Sequence, residues 1–179
     1  NPILLGFYSR TMAEVAIVND FLRQSTPEKL ASRGITNTTD VANINDYRNE
    51  VRVLRAYAYY NLMDLFGKAP FYDENSAINS QGPEYDRQAL FTFIENELNA
   101  VLPNLKAPKA NEYGRVDQGV ANMILAKMYL NAEVYIGAKK YTECMAKCAT
   151  VISSGYTLNA NYLNNFKADN NTSSEIIFA

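Results

Sequence analysis

GRVDQGVANMILAKMYLNAEVYIGAKKYTECMAKCATVISSG, residues 114–155, is the stretch that decides the fold. Its first half, 118–136, is apolar nearly all round and is interrupted only by Asn122, Lys127, Asn131 and Glu133. A helix of that pattern has no face suited to water, so it must be covered on several sides. Asp117 stands where an N-cap belongs, and Gly137 where a helix stops. The second half, 139–153, behaves differently. Tyr141, Cys144, Met145, Cys148, Val151 and Ile152 fall at offsets 0, 3, 4, 7, 10 and 11, a single-face stripe that Gly155 ends. A covered helix joined to a striped one is a helical hairpin, the unit of a stacked-helix scaffold. A scaffold of that kind holds or presents something and rarely performs chemistry.

The rest of the chain extends the pattern outward. Residues 45–66 read as a long helix through Val51, Leu54, Ala58, Leu62 and Leu65, stopped by Gly67 with Pro70 beyond. Asp86 caps a helix over 87–102, whose stripe is Leu90, Ile94, Leu98, Val101 and Leu102. Residues 4–23 form a first helix through Phe7, Met12, Val15, Val18 and Leu22. Thr26 and Pro27 then start a short one. The polar run 35–43 reads as loop, 71–85 and 103–116 as long connections, 162–166 as one helical turn, and 176–179 as the start of a strand. Five helices and no convincing sheet place the chain in the all-α class.

A repeat test supports helical pairs. Leu125, Ala126 and Tyr129, followed by Tyr141, Cys144 and Val151, fall near the small and aromatic positions of a tetratricopeptide unit. Such a unit is about 34 residues long, and this one carries an insertion at 134–139. Arg55-Ala56-Tyr57-Ala58-Tyr59 echoes it. The chain therefore reads as one scaffold over 1–179, an α-α superhelix with tetratricopeptide-like hairpins at about 45–102 and 117–155.

Composition excludes more than it selects. A net charge of −2 offers no basic excess for phosphates, so nucleic acid is not an expected partner. The chain contains no histidine, which removes the commonest general base, the Ser-His and Cys-His nucleophile pairs and the usual zinc ligands. Cys144 and Cys148 are four apart on one helix, where a disulfide is geometrically awkward. They read as two buried apolar thiols. No apolar run reaches membrane-spanning length. Both ends look cut, so the chain reads as part of a longer protein.

Candidate chemistry is sparse. Glu95 and Glu97 point to different helix faces, and Asp64, Asp73 and Glu74 form no recognisable facing pair, so no acid–base site and no catalytic residue is assigned. Asp169–Glu175 alternates oxygen ligands but lacks the central glycine and the length of a calcium loop, and it reads as a polar turn. No metal site or cofactor is expected. Asn37-Thr38-Thr39 and Asn171-Thr172-Ser173 match glycosylation triplets. Arg48, Arg52 and Arg55 share a helical face, which reads either as a basic surface or, in preference, as internal pairing with Glu50 or Asp64. Tyr57, Tyr59 and Tyr60 could stack on a sugar ring, but core filling is the favoured role.

Three ordered stretches resemble the SusD/RagB family. EVRVLRAYAYYNLMDLFGKAPFY (50–72) is similar to that family's "FLRA-Y-Y-L-LFG-P" helix and turn. YGRV…ANMILAKMYLNAEVYIG…VISSGY (113–156) is similar to its "GRA…A-LLA-YLNA…Y…VI-SG-Y" hairpin. YLNNF…DNN…EIIF (162–178) is similar to its "Y-LF…N-E-I-F" segment. LFGKAPF and YLNAEVY are nearest to the starch-utilisation branch.

The resemblance implies a mainly helical, tetratricopeptide-like scaffold carrying a more irregular glycan site. It implies a surface-exposed lipoprotein of the outer membrane of Bacteroidetes, held by an N-terminal lipidated cysteine that lies outside this sequence. It further implies capping of a TonB-dependent, SusC-like transporter, delivery of oligosaccharide to it, and no enzymatic activity. Family members are much longer than 179 residues, and no position here matches a sugar-contacting motif. No glycan-binding residue is therefore carried over; those residues are expected mostly outside this sequence. The rival reading is a tetratricopeptide module that binds a peptide in its groove. It would need polar, clamping side chains on its inner helix, where 118–136 is almost wholly apolar.

Overall fold

The computed structural model describes residues 1–178. These form two compact units, Asn1–Asn104 and the residues from Leu105 onward. Among the described residues there are seven α-helices and one two-stranded sheet.

The first unit contains α1 (Pro2–Gln24), α2 (Pro27–Ser32), α3 (Thr38–Phe66), β1 (Lys68–Pro70), β2 (Glu84–Asp86) and α4 (Arg87–Val101). α3 packs against both α1 and α4. Val15, Val18 and Leu22 of α1, Val53, Leu62 and Met63 of α3, and Leu90, Ile94 and Leu98 of α4 are buried in its core. Local signals start these helices. The Thr26 hydroxyl accepts from Lys29 N, and Asp86 Oδ1 accepts from Ala89 N at 2.9 Å. Gly67 ends α3 at φ +76°, a left-handed conformation that is strained for any side chain with a Cβ.

Three expectations for this unit need correction. α3 begins at Thr38, inside the run read as loop, because the Asn37 side chain accepts from Thr39 N and Asp40 N. Its first turns are largely exposed, so no apolar period marks them. Leu65, placed in the stripe, is exposed. The connection 71–85 is bracketed by an antiparallel pair, with Ala69 opposite Tyr85; three residues per strand are too few to show a period of two.

The second unit contains α5 (Gln118–Leu130), α6 (Ala132–Ile136) and α7 (Tyr141–Ile152), followed by 3-10 turns at Tyr162–Phe166 and Asn170–Thr172. α5 packs on α7. It is covered as its sequence requires, with Val120, Ala121, Ile124, Leu125, Ala126, Met128 and Tyr129 all buried. The helix expected over 118–136 breaks at Asn131, whose carbonyl accepts from both Val134 N and Tyr135 N. The stripe on α7 is only partly used. Cys144 and Val151 are buried, whereas Tyr141, Met145, Cys148 and Ile152 are exposed. Residues 176–178 form no strand, and Ala179, the last position of that expectation, lies outside the described residues. Among the described residues no helix is long and apolar enough to cross a membrane.

Candidate functional site

Two of the arginines singled out on α3, Arg52 and Arg55, converge on one largely buried cluster. Arg55 is 2% exposed. Its Nη1 donates to Glu74 Oε2 and to Asn19 Oδ1, each at 2.6 Å, and its Nη2 donates to Glu97 Oε1 at 2.6 Å. Arg52 grips the same carboxylate with two bonds, Nε to Oε1 at 2.9 Å and Nη2 to Oε2 at 2.7 Å. That fork is the strongest geometry a guanidinium offers a carboxylate. Arg48 donates to Leu22 O and Ser25 Oγ instead. The arginines are thus internal struts rather than a free basic face. The sequence pointed to Glu50 or Asp64; the structure supplies Glu97 and Glu74, 42 and 19 positions away. Helical spacing cannot see partners that arrive with another element.

The charges stabilise one another. Burial alone would raise the Glu97 carboxyl, but Arg52 and Arg55 outweigh it and hold it below the usual carboxylate range. Burial likewise opposes the charge on Arg55, and Glu97 and Glu74 more than restore it. The Arg55 guanidinium also lies 5.6 Å from the Phe93 ring centroid, within cation–π range.

Tyr59 anchors an aromatic cluster beside these charges. It is fully buried, with ring centroids 5.3 Å from Phe71 and 5.4 Å from Phe93. Phe71 in turn stacks on Tyr85 at 4.3 Å, with 5° between the planes. The Tyr59 hydroxyl donates to Tyr72 O at 2.9 Å and accepts from Tyr72 N at 2.7 Å. Burial pushes its pKa upward, so it stays protonated. Tyr60 is buried and Tyr57 half-buried. Tyr59 and Tyr60 are therefore core groups, as favoured from sequence.

The connection between β1 and β2 is tied at several points. Phe71 N donates to Pro83 O at 2.8 Å, and Gly82 N donates to Tyr72 Oη at 3.0 Å. A Cβ at Gly82 would meet Phe71 O at 2.4 Å, so only glycine allows this approach. Asp73 Oδ1 accepts from Asn75 N and Ser76 Oγ. Asp73 and Glu74 therefore serve the loop and the arginines, while Asp64 is exposed. Glu95 is half-buried and Glu97 buried, in keeping with their different faces.

In the second unit, Cys144 is buried and its Sγ donates to Ala126 O at 3.3 Å. Cys148 is exposed, which corrects the expectation of two buried thiols. The Asp169–Glu175 stretch is a turn. Glu175 accepts from Asn159 N at 3.0 Å and Asn165 Nδ2 at 2.8 Å, and those bonds hold its pKa down. Among the described residues, no group of three or more Cys, Asp or Glu side chains is placed to hold a metal ion. Of the glycosylation triplets, Asn37 caps α3 and Asn171 lies exposed in a 3-10 turn. A cavity of about 230 Å³ lies beside Lys109, Tyr113, Arg115 and Tyr156. Next to it, buried Asp117 caps α5 through Oδ1 and accepts Lys109 N at 2.7 Å through Oδ2. Burial, aided by the Asp117 charge, pushes the Tyr156 phenol up to about 12.

Paired helices that bury their apolar residues against one another define a protein of tetratricopeptide-like, all-α type. No family model matches the chain. It is 40% identical over 123 residues to the starch-binding protein SusD of Bacteroides thetaiotaomicron, a match over 69% of this chain and 22% of that protein. It is 27% identical over 137 residues to the SusD-like protein P25 of Formosa agariphila, over 75% of this chain and 25% of that one. Its fold superposes with a TM-score of 0.82 on a protein crystallised with a xylogluco-oligosaccharide, at 24% identity, covering 100% of this chain and 35% of that one. Against a laminarin-binding SusD-like protein the TM-score is 0.76 at 26% identity, over 96% and 36% of the two chains. The chain belongs to the SusD-like family of glycan-binding proteins from Bacteroidetes. It spans about a quarter of the length of the curated relatives it matches.

Proposed function

We propose that the protein binds an oligosaccharide at the cell surface without cleaving it and passes it to a TonB-dependent, SusC-like transporter in the outer membrane. A lipid anchor would hold it there. The observation that carries the reading is the 40% identity to a starch-binding protein, which makes a starch-like glucan the first candidate ligand. The internal engagement of Arg52, Arg55, Glu74 and Glu97 supports a scaffolding role for this part of the protein. The hairpins at about 45–102 and 117–155 would supply rigidity and part of the transporter contact. Glycan contacts would lie mostly outside the 179 residues.

Affinity electrophoresis of the full-length protein through gels containing starch, levan, xylan, laminarin, xyloglucan or mucin glycans tests this. Retardation by one of them, without release of reducing sugar, is expected. Migration unchanged in every gel, with helical circular dichroism intact, overturns the reading, and release of reducing sugar overturns the non-catalytic part of it.

A further inference from the structure

One surface of the first unit has the chemistry of a sugar contact, and its exposed amides, Gln88 and Asn96, take no part in holding the fold. Gln88, Thr92 and Asn96 are all exposed on α4. At four-residue spacing they lie along one side of the helix, about 6 Å apart in rise. With the half-buried rings of Tyr85 and Phe93 they line a groove of about 460 Å³.

The rings are set before any ligand arrives. Tyr85 is paired in β2 opposite Ala69, and one of its faces is covered by Phe71. Phe93 meets both Phe71 and Tyr59 edge-on, with 71° and 81° between the planes. Rings fixed this way lose little conformational freedom on binding. The amides of Gln88 and Asn96 make no hydrogen bond within the described residues, and each offers two donors and an acceptor. The Thr92 hydroxyl donates to Gln88 O at 2.9 Å, which leaves its oxygen free to accept. The one charged lining group, Asp86, already uses Oδ1 as the cap of α4. A groove of fixed aromatic surface edged by neutral amides fits a ligand with an apolar ring face and a hydroxyl rim. It lacks the cations a nucleic acid or phosphopeptide needs.

We propose that this groove between β2 and α4 is a contact surface for a neutral pyranose chain, with Tyr85 and Phe93 as its aromatic wall and Gln88, Thr92 and Asn96 as its hydrogen-bonding edge. The inference rests on the glycan-binding reading above and adds a subsite within this chain.

The test is the double variant Gln88→Ala with Asn96→Ala in the full-length protein. Alanine is the better helix former and neither amide holds the fold, so melting temperature and circular dichroism should be retained. Affinity is measured by calorimetry and gel retardation with soluble starch, laminarin and xyloglucan. Loss of both amides should weaken binding of the retarded glycan about tenfold or more. Asn45→Ala, an exposed amide on α3, should leave it unchanged. A wild type that binds and a double variant within about threefold of it would overturn the subsite and leave the glycan-binding reading standing. A wild type that binds none of the glycans overturns both.

Discussion

Replacing Glu97 with glutamine is the sharpest probe of the scaffold. The carboxylate takes three hydrogen bonds of 2.6 to 2.9 Å from Arg52 and Arg55, and its side chain is 9% exposed. The glutamine amide keeps one acceptor and turns an NH2 toward a guanidinium donor. Removing one member of a buried ion pair costs about 3–5 kcal/mol. Arg55 retains Glu74 and Asn19, which places Glu97→Gln near the lower end, about 3 kcal/mol. For a domain of 150–250 residues each kcal/mol corresponds to roughly 2–4 °C, so the melting point should fall by about 6–12 °C. Glu84→Gln is the matched control. Its pair with Lys68 is as short, 2.9 Å, but both side chains are 63% exposed. Such a pair contributes at most about 1 kcal/mol.

pH supplies a second readout of the same residue. The folded Glu97 pKa lies below its unfolded value. Its contribution is therefore fully present above about pH 4.3 and fades as pH falls through the folded value. The gap between wild type and Glu97→Gln should be full at neutral pH and narrow in acid. Thermal melts followed by helical circular dichroism across that range measure both effects. Equal losses for Glu97→Gln and Glu84→Gln, or a gap independent of pH, would refute the claim that burial sets the energetics here.

Other outcomes follow from the same geometry. Tyr59→Phe strands Tyr72 N and O in a partly buried site and should cost about 1–3 kcal/mol; faster amide exchange over 71–83 would accompany it, and unchanged exchange would show that the loop does not depend on that hydroxyl. Ala126→Arg places a long cation at a position 3% exposed under α7. It should unfold the hairpin rather than weaken sugar binding alone, and a folded variant with selective loss of binding would count against a scaffold role. Under native conditions iodoacetamide should label Cys148 and spare Cys144, whose thiol is buried and raised in pKa. Mass spectrometry showing both labelled at equal rates would contradict the packing of α7.

Helix identity was legible in the chain because its causes are local. Thr26, Asp86 and Asp117 cap their helices through their own side chains, and Gly67 and Gly137 stop them within one turn. The nearly all-round apolar pattern read over 118–136 sufficed to say that the helix is covered, though not that it breaks at Asn131. The cap at Asn37 is just as local, but the run 35–43 read as loop because no apolar period marks a helix there. Tertiary structure alone decided the rest. Nothing near Arg52 and Arg55 names Glu97 as their partner, since α4 delivers that carboxylate from across the core. The stripe of α7 was readable, yet which of its residues meet α5 was not, because spacing defines a face without saying how much of it a neighbour covers. Tyr59, Tyr60 and Tyr85 are one residue type with different fates. What separates core from groove is which ring, strand or helix folding brings against them.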